Sequence, residues 1–271
     1  MLIVDAQVHI WSSGTPSGQH RQVSSFSAEE CLAEMDAAGV DAVVLHPPGW
    51  DANGVAVAEA AAAKYPNRFA ILGHFPLDKP ESRALIDGWK SRPGMKGLRY
   101  AFTQPHQQSW MTDGSMDWLW PACEKAQIPI ALMASNYLPQ VARIAERHPG
   151  LRLLLDHYAR VRDASDDAAH GNQPALLALA RYPNVAVKAT GAPGNSSHPY
   201  PYRNIHKYTE QIFDAFGPTR TFWGTDITRM PCSWKQCVSM FTQEMPFLKG
   251  HDLELVMGRA VCDWIGWTLE G

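Results

Sequence analysis

Eight short apolar runs recur along the chain of 271 residues, each followed by a helix-patterned stretch, and this alternation limits the fold more than any other feature. The runs are 2–10, 41–46, 69–74, 95–100, 128–133, 151–155, 184–190 and 221–226. Strands covered by helices on both faces read as continuous apolar runs rather than alternating ones. Helical patterns fall at 28–38, 54–65, 80–89, 117–126, 138–148, 174–182, 202–216, 233–241 and 253–264. Ser27 with Glu29 and Glu30 forms an N-terminal signal for the first helix, and Gly39 stops it. Eight such units predict an α/β fold: a single-domain (β/α)8 TIM-like barrel over residues 1–271. An open doubly wound sheet is the alternative, but it calls for a Gly-rich phosphate loop after the first strand. Gly14 and Gly18 stand in a loop without that spacing.

Composition narrows the partners. Hydrophobic residues make up 45% and charged residues 19%, which supports a large core. A net charge of -3 without a basic run predicts no affinity for nucleic acid or an anionic membrane. The five cysteines are odd in number and lack CxxC spacing, which argues against a disulfide framework or structural zinc site. No basic leader precedes Asp5 and His9, and no apolar run nears the ~20 residues of a membrane span. A cytoplasmic protein acting on a small molecule is expected, and an oligomer is compatible with the sequence.

The C-terminal ends of the runs carry Gln7 and His9, then His46, His74, Arg99, Met133, His157, Lys188 and Asp226. Barrel active sites are built at that end. His46 or His74 alone reads as a satisfied core histidine, but polar ends on seven of eight strands do not read as filler. In the first run, period-two alternation puts Asp5, Gln7 and His9 on one face.

These residues resemble the amidohydrolase superfamily, in its amidohydrolase-related branch. The resemblance runs through Asp5-Ala6-Gln7-Val8-His9-Ile10-Trp11, Met35 to Asp41, Met95 to Arg99, Leu155-Asp156-His157, Asn184 to Lys188, Trp223 to Asp226 and Met257 to Ala260. It implies a distorted barrel and a reaction driven by the last-strand aspartate, as in sugar-lactone and pyrone-dicarboxylate lactonases and metal-dependent decarboxylases. Metal-binding relatives carry His-x-His on the first strand, histidines on the fifth and sixth, and aspartate on the eighth. Here Gln7 replaces the first histidine, and the fifth strand ends in Met133-Ala134-Ser135. His9, His157 and Asp226 match, and could hold a single divalent metal such as zinc. The loss of two imidazoles favours catalysis without a metal, for which the resembling pyrone-dicarboxylate lactonase is a precedent.

The expected reaction is hydrolysis of a lactone or activated ester. Asp226 is the general base toward water, with His9 and His157 orienting it or polarising the carbonyl. Gln7, Arg99, Lys188, Trp50, His198 and Arg229 are candidate substrate contacts, the cations suiting a carboxylated substrate and the aromatics an aromatic one. Arg203 and Arg229 also read as solvated loop charges, and the loop 195–206 either roofs the site or packs on a helix. Trp110 and Trp223 either line a pocket with Trp50 or belong to the core. Two other readings stand beside this one: a divalent-metal hydrolase or decarboxylase, and a non-catalytic binding protein on a degraded barrel.

Overall fold

Parallel pairing in strict chain order organises the computed structural model, which describes residues 1–269. The strands are β1 (Val4–Val8), β2 (Ala42–Leu45), β3 (Phe69–Gly73), β4 (Met95–Tyr100), β5 (Ile130–Leu132), β6 (Leu153–Leu155), β7 (Val185–Thr190) and β8 (Thr221–Gly224). Helical segments cover the outside, giving a nearly closed (β/α)8 barrel. Successive side chains divide between two environments. Val44, Leu72, Leu154 and Phe222 point inward and pack on Val261 and Ile265 of the last helix and on Trp267 just beyond it. That helix closes the end where the strands begin, since Gly258, in the turn leading into it, backs onto Leu2 and Val4. Val43, Ile71, Leu132 and Val187 join the larger cluster shared with the outer helices.

Closure between β1 and β8 rests on a backbone bond and on the Asp5 side chain. Asp226 N donates to Gln7 O at 2.7 Å. Asp5 accepts from Thr225 N at 2.8 Å, Thr225 Oγ1 at 2.5 Å and Trp234 Nε1 at 2.9 Å. The strands approach so closely that a Cβ on Gly224 would lie 2.8 Å from both Ala6 N and Asp5 Oδ1.

β1 corrects the expected alternation. Asp5 pairs with Val43 and Val8 with Leu45, so three steps in β1 oppose two in β2. This bulge switches the parity of the strand. Asp5 faces the outer layer beside Trp234, while Gln7 meets Lys188 inside the barrel. The three polar residues therefore do not share one face.

The caps follow the sequence. Ser27 and Ser233 each make a capping box, and Gly39 ends the first helix at φ 74. Three helical expectations are corrected. The 80–89 stretch is 3₁₀ over Pro80–Ile86, with only Ser82 and Ile86 buried, so no apolar face holds an α-helix there. Ala178–Arg181 tightens to 3₁₀ after the helix Gln173–Leu177. The 253–264 helix is interrupted by a π-turn at Leu255–Arg259, where Gly258 crosses the start of β1.

Candidate active site

Two polar layers lie at the C-terminal end of the barrel. The deeper one is organised by Lys188, which is fully buried. Its Nζ donates to Gln7 Oε1 at 2.5 Å, lies 2.7 Å from Asp156 Oδ1 and is 3.1 Å from His46 Nε2. Arg99 Nε donates to the other Asp156 oxygen at 2.8 Å. Burial opposes the charge on Asp156, but Lys188 and Arg99 hold its carboxyl well below the usual range. Four of the polar strand ends thus form an internal ion cluster. Lys188 is sealed from any ligand, and Arg99 keeps only part of its side chain exposed.

The upper layer brings His9, His157 and Asp226 together. His9 Nε2 is 3.5 Å from Asp226 Oδ1, and His157 Nε2 is 3.8 Å from Oδ2. Both His157 (φ 52) and Asp226 (φ 58) hold left-handed backbone, as do Tyr158 (φ 60) and Ala159 (φ 47). Non-glycine residues adopt that region at a cost, and such strain collects at functional sites. Here it turns the chain sharply after β6 and β8, so that both side chains point across the mouth.

Hydrogen-bond polarity fixes the tautomer of His9. Its Nδ1 lies 2.5 Å from His46 O, and a carbonyl only accepts, so Nδ1 carries the proton. Gln7 Oε1 is taken by Lys188, which turns the Gln7 amide NH₂ toward His9 Nε2 at 3.4 Å. His9 therefore turns an unprotonated Nε2, engaged by the Gln7 amide, toward Asp226 Oδ1. That oxygen is buried and has no hydrogen-bond partner among the described residues. His157 is held from behind by Thr190 Oγ1, 2.9 Å from its Nδ1.

Sequence reasoning missed His20. It sits in the loop 12–27, yet it is 9% exposed, and its Nδ1 lies 2.7 Å from Thr228 Oγ1 and 4.0 Å from Asp226 Oδ1. The loop is pinned over β8 by Arg21 N donating to Thr228 O at 2.8 Å and by Arg229 donating to Gln19 Oε1. Gly14 (φ 90) lets it pass against the Trp50 carbonyl, where no Cβ fits. A lone histidine in a Ser/Gly/Pro-rich loop gives no periodic signal. Its one clue was its place just after the strand that carries His9.

Burial depresses all three imidazoles: His9 falls below its ordinary value, His20 to about 4 and His157 to about 3, in each case against the pull of Asp226. Burial also works against ionised Asp226, but His9, His20, Arg229 and His157 hold its carboxyl below the usual range. At neutral pH the mouth holds one carboxylate among neutral imidazoles. His9, His20 and Asp226 each place a ligand atom within 4.8 Å of the others, a cluster able to take a single metal ion.

The remaining candidates separate. Arg229 belongs to the mouth, with Nη1 3.3 Å from Asp226 Oδ2 and a buried Nε lacking a partner among the described residues. Trp50 walls it, its ring 4.7 Å from His20 and 5.7 Å from His9, with Nε1 likewise unpartnered. His198 is exposed on its loop, and no described hydrogen bond, ion pair or ring contact joins it to the cluster. Arg203 pairs with Glu244 at the surface. Trp223 is core, donating to Cys237 O, and Trp110 packs on Phe102 and His106.

Comparison with known proteins agrees with this frame. The chain is 28% identical over 161 residues to the L-fucono-1,5-lactonase of Burkholderia ambifaria, covering 58% of this chain and 54% of that protein. The matched stretch thus spans about half of the lactonase. An amidohydrolase structure from Burkholderia multivorans with bound zinc superposes with a TM-score of 0.83 at 18% identity, covering 98% of this chain and 99% of that one. A probable 2-pyrone-4,6-dicarboxylic acid hydrolase from Acinetobacter baumannii, with citric acid bound, gives 0.73 at 15% identity, covering 98% and 100%. At these identities the two structures speak for the shared barrel. The family model described as Amidohydrolase matches residues 4–270, nearly the whole sequence, and the chain belongs to that family.

Proposed function

We propose that this protein hydrolyses a lactone or similarly activated ester with water activated by Asp226, and that it does so without a resident metal. The observation that carries the reading is the buried Asp226 Oδ1, without a hydrogen-bond partner among the described residues and 3.5 Å from the unprotonated His9 Nε2. A carboxylate oxygen lacking a donor suits a water that gives it one hydrogen and keeps its own lone pairs free for attack. Asp226 takes the proton as the water oxygen bonds to the carbonyl carbon. Arg229 Nε and Trp50 Nε1 are buried donors without partners among the described residues, the kind of group that receives a developing oxyanion. His157, beside the other Asp226 oxygen, passes the proton to the leaving ring oxygen as the C–O bond breaks. A depressed carboxylate is a weak base, so the substrate must be an activated acyl compound rather than an unstrained amide.

Charge supports the metal-independent form. Lys188, Arg99 and Arg229 stand around Asp156 and Asp226, and Gln7 offers His9 an N–H where a metal ligand would offer a lone pair. A divalent cation would add to an excess of positive charge. The second reading, a metal held by His9, His20 and Asp226, is favoured by the spacing of their ligand atoms. A bound ion would supply Lewis-acid polarisation of the carbonyl.

Asp226→Asn keeps the shape and tolerates the left-handed backbone, as asparagine commonly does. Assayed on a panel of sugar lactones and aryl esters, it should lose at least about 10³-fold in kcat with an unchanged melting temperature. Near-normal turnover would remove Asp226 from the chemistry. Exhaustive chelation, with metal content measured alongside, should leave kcat unchanged; loss restored by zinc would favour the second reading.

A further inference from the structure

Two sulfurs near the mouth have no part in the proposed hydrolysis. Cys232 lies in the turn between the 3₁₀ segment Ile227–Arg229 and the helix Trp234–Gln243, and Cys237 lies inside that helix. Their Sγ atoms are 3.5 Å apart. Cys232 is partly exposed and Cys237 is buried. The other thiols offer a contrast, since burial pushes Cys123 and Cys262 up to about 12. At Cys232 the contact with the Cys237 thiol outweighs burial and, with the Tyr202 hydroxyl, brings the group down to about 7. A reachable, readily ionised thiol with a second thiol behind it is the arrangement of a reactive and a resolving cysteine.

We propose that Cys232 and Cys237 are a reversible dithiol–disulfide site whose oxidant is a hydroperoxide. The Cys232 thiolate attacks the terminal peroxide oxygen. The O–O bond breaks as the S–O bond forms, leaving a sulfenic acid on Cys232 and releasing alcohol, or water from hydrogen peroxide. Cys237 sulfur then attacks Cys232 sulfur. The S–O bond breaks, the S–S bond forms, and hydroxide leaves as water with the Cys237 proton. Two thiols lose two electrons and the peroxide gains them; a dithiol reductant reverses the change.

The sulfurs need only close from 3.5 Å to a bond of about 2.05 Å. The helix side of that movement is pinned. Ser233 caps the helix with Gln236, Trp234 Nε1 donates to Asp5, and Trp223 Nε1 donates to Cys237 O. The turn carrying Cys232 must therefore yield, and Arg229, which pairs with Asp226, lies three residues upstream at the end of the 3₁₀ segment. The site thus couples to the catalytic mouth, a consequence that depends on the proposed function, whereas disulfide formation does not.

The full-length protein is treated with hydrogen peroxide at neutral pH, its remaining thiols are blocked with N-ethylmaleimide, and intact mass and peptide maps are recorded. The expected product is lighter by two hydrogens than the reduced chain carrying the same maleimide adducts, carries a 232–237 cross-link, and reverts with dithiothreitol. Cys232→Ser abolishes the cross-link. Oxygen adducts on Cys232 without a cross-link, or no reaction there, would overturn the site. In the wild type, linkage with kcat and KM altered at least about threefold and restored by reductant supports the coupling, by analogy with small displacements that change rates. Linkage without a kinetic change would overturn the coupling alone. An enzyme inactive toward every lactone and ester would instead count against the hydrolase reading and leave the mass result standing.

Discussion

At the scale of single residues, position in the barrel decides which charged groups meet substrate. Lys188 in β7 and Arg229 in the 3₁₀ segment after β8 are both cations, but one is locked beneath the mouth and the other lines it. Lys188→Met should therefore act first on stability. It leaves Asp156 with Arg99 as its one counter-ion among the described residues and costs about 3 kcal/mol in urea unfolding. A variant as stable as the wild type would mean that the cluster tolerates a neutral Asp156. His20→Ala removes a ring 4.0 Å from Asp226 and frees Thr228. Because small misplacements of a catalytic group are costly, kcat should fall about 10- to 100-fold with little change in melting temperature. An unchanged kcat would make His20 only a wall residue.

Among the elements, the join between β1 and β8 is the most exacting. Gly224→Ala would force a methyl between Ala6 N and Asp5 Oδ1 and against Thr190 Cγ2 at 2.7 Å, opening the seam that Asp5 stitches. A loss of about 2–4 kcal/mol follows from overpacking against backbone, measurable by urea or thermal unfolding. The strands and most helices were legible in the sequence because burial on both faces writes apolar runs, and caps such as Ser27 and Gly39 write boundaries. His9, His157 and Asp226 were legible for the same reason, since a barrel brings its strand ends to one mouth. The bulge in β1 was not, because Ala6 and Gln7 continue an apparently regular alternation and the extra residue appears only against β2. His20 and the Cys232–Cys237 contact were hidden too, as loop paths and turn geometry leave no period to read.

For the molecule as a whole, buried histidines set the response to acid. His170 is stacked on Tyr208 with ring centroids 3.8 Å apart, and burial lowers it to about 4; His20 and His157 fall to about 4 and 3. In the unfolded chain each titrates near 6.5, so below that pH the unfolded state takes up protons that the folded state refuses. Stability should fall as pH drops from about 6.5 to about 4, by roughly 1–3 kcal/mol for each such group. Asp5, raised to about 7 by burial, works in the opposite sense, its contribution being lost as pH rises toward 7. Denaturant midpoints across this range should show the net decline in acid, and His170→Phe should flatten it. An acid-independent midpoint would mean that these rings are protonated in the folded state.

The line of donors from Lys188 through Gln7 to His9 and the His46 carbonyl runs in a single sense. An ammonium group that no ligand can reach therefore dictates which face an imidazole shows to one that can. Reversing the Gln7 amide from below, as Lys188→Met would allow, should appear in the ¹⁵N shifts of His9 as a mixture of ring forms where the native enzyme holds one. The barrel floor would in that sense be audible at its rim.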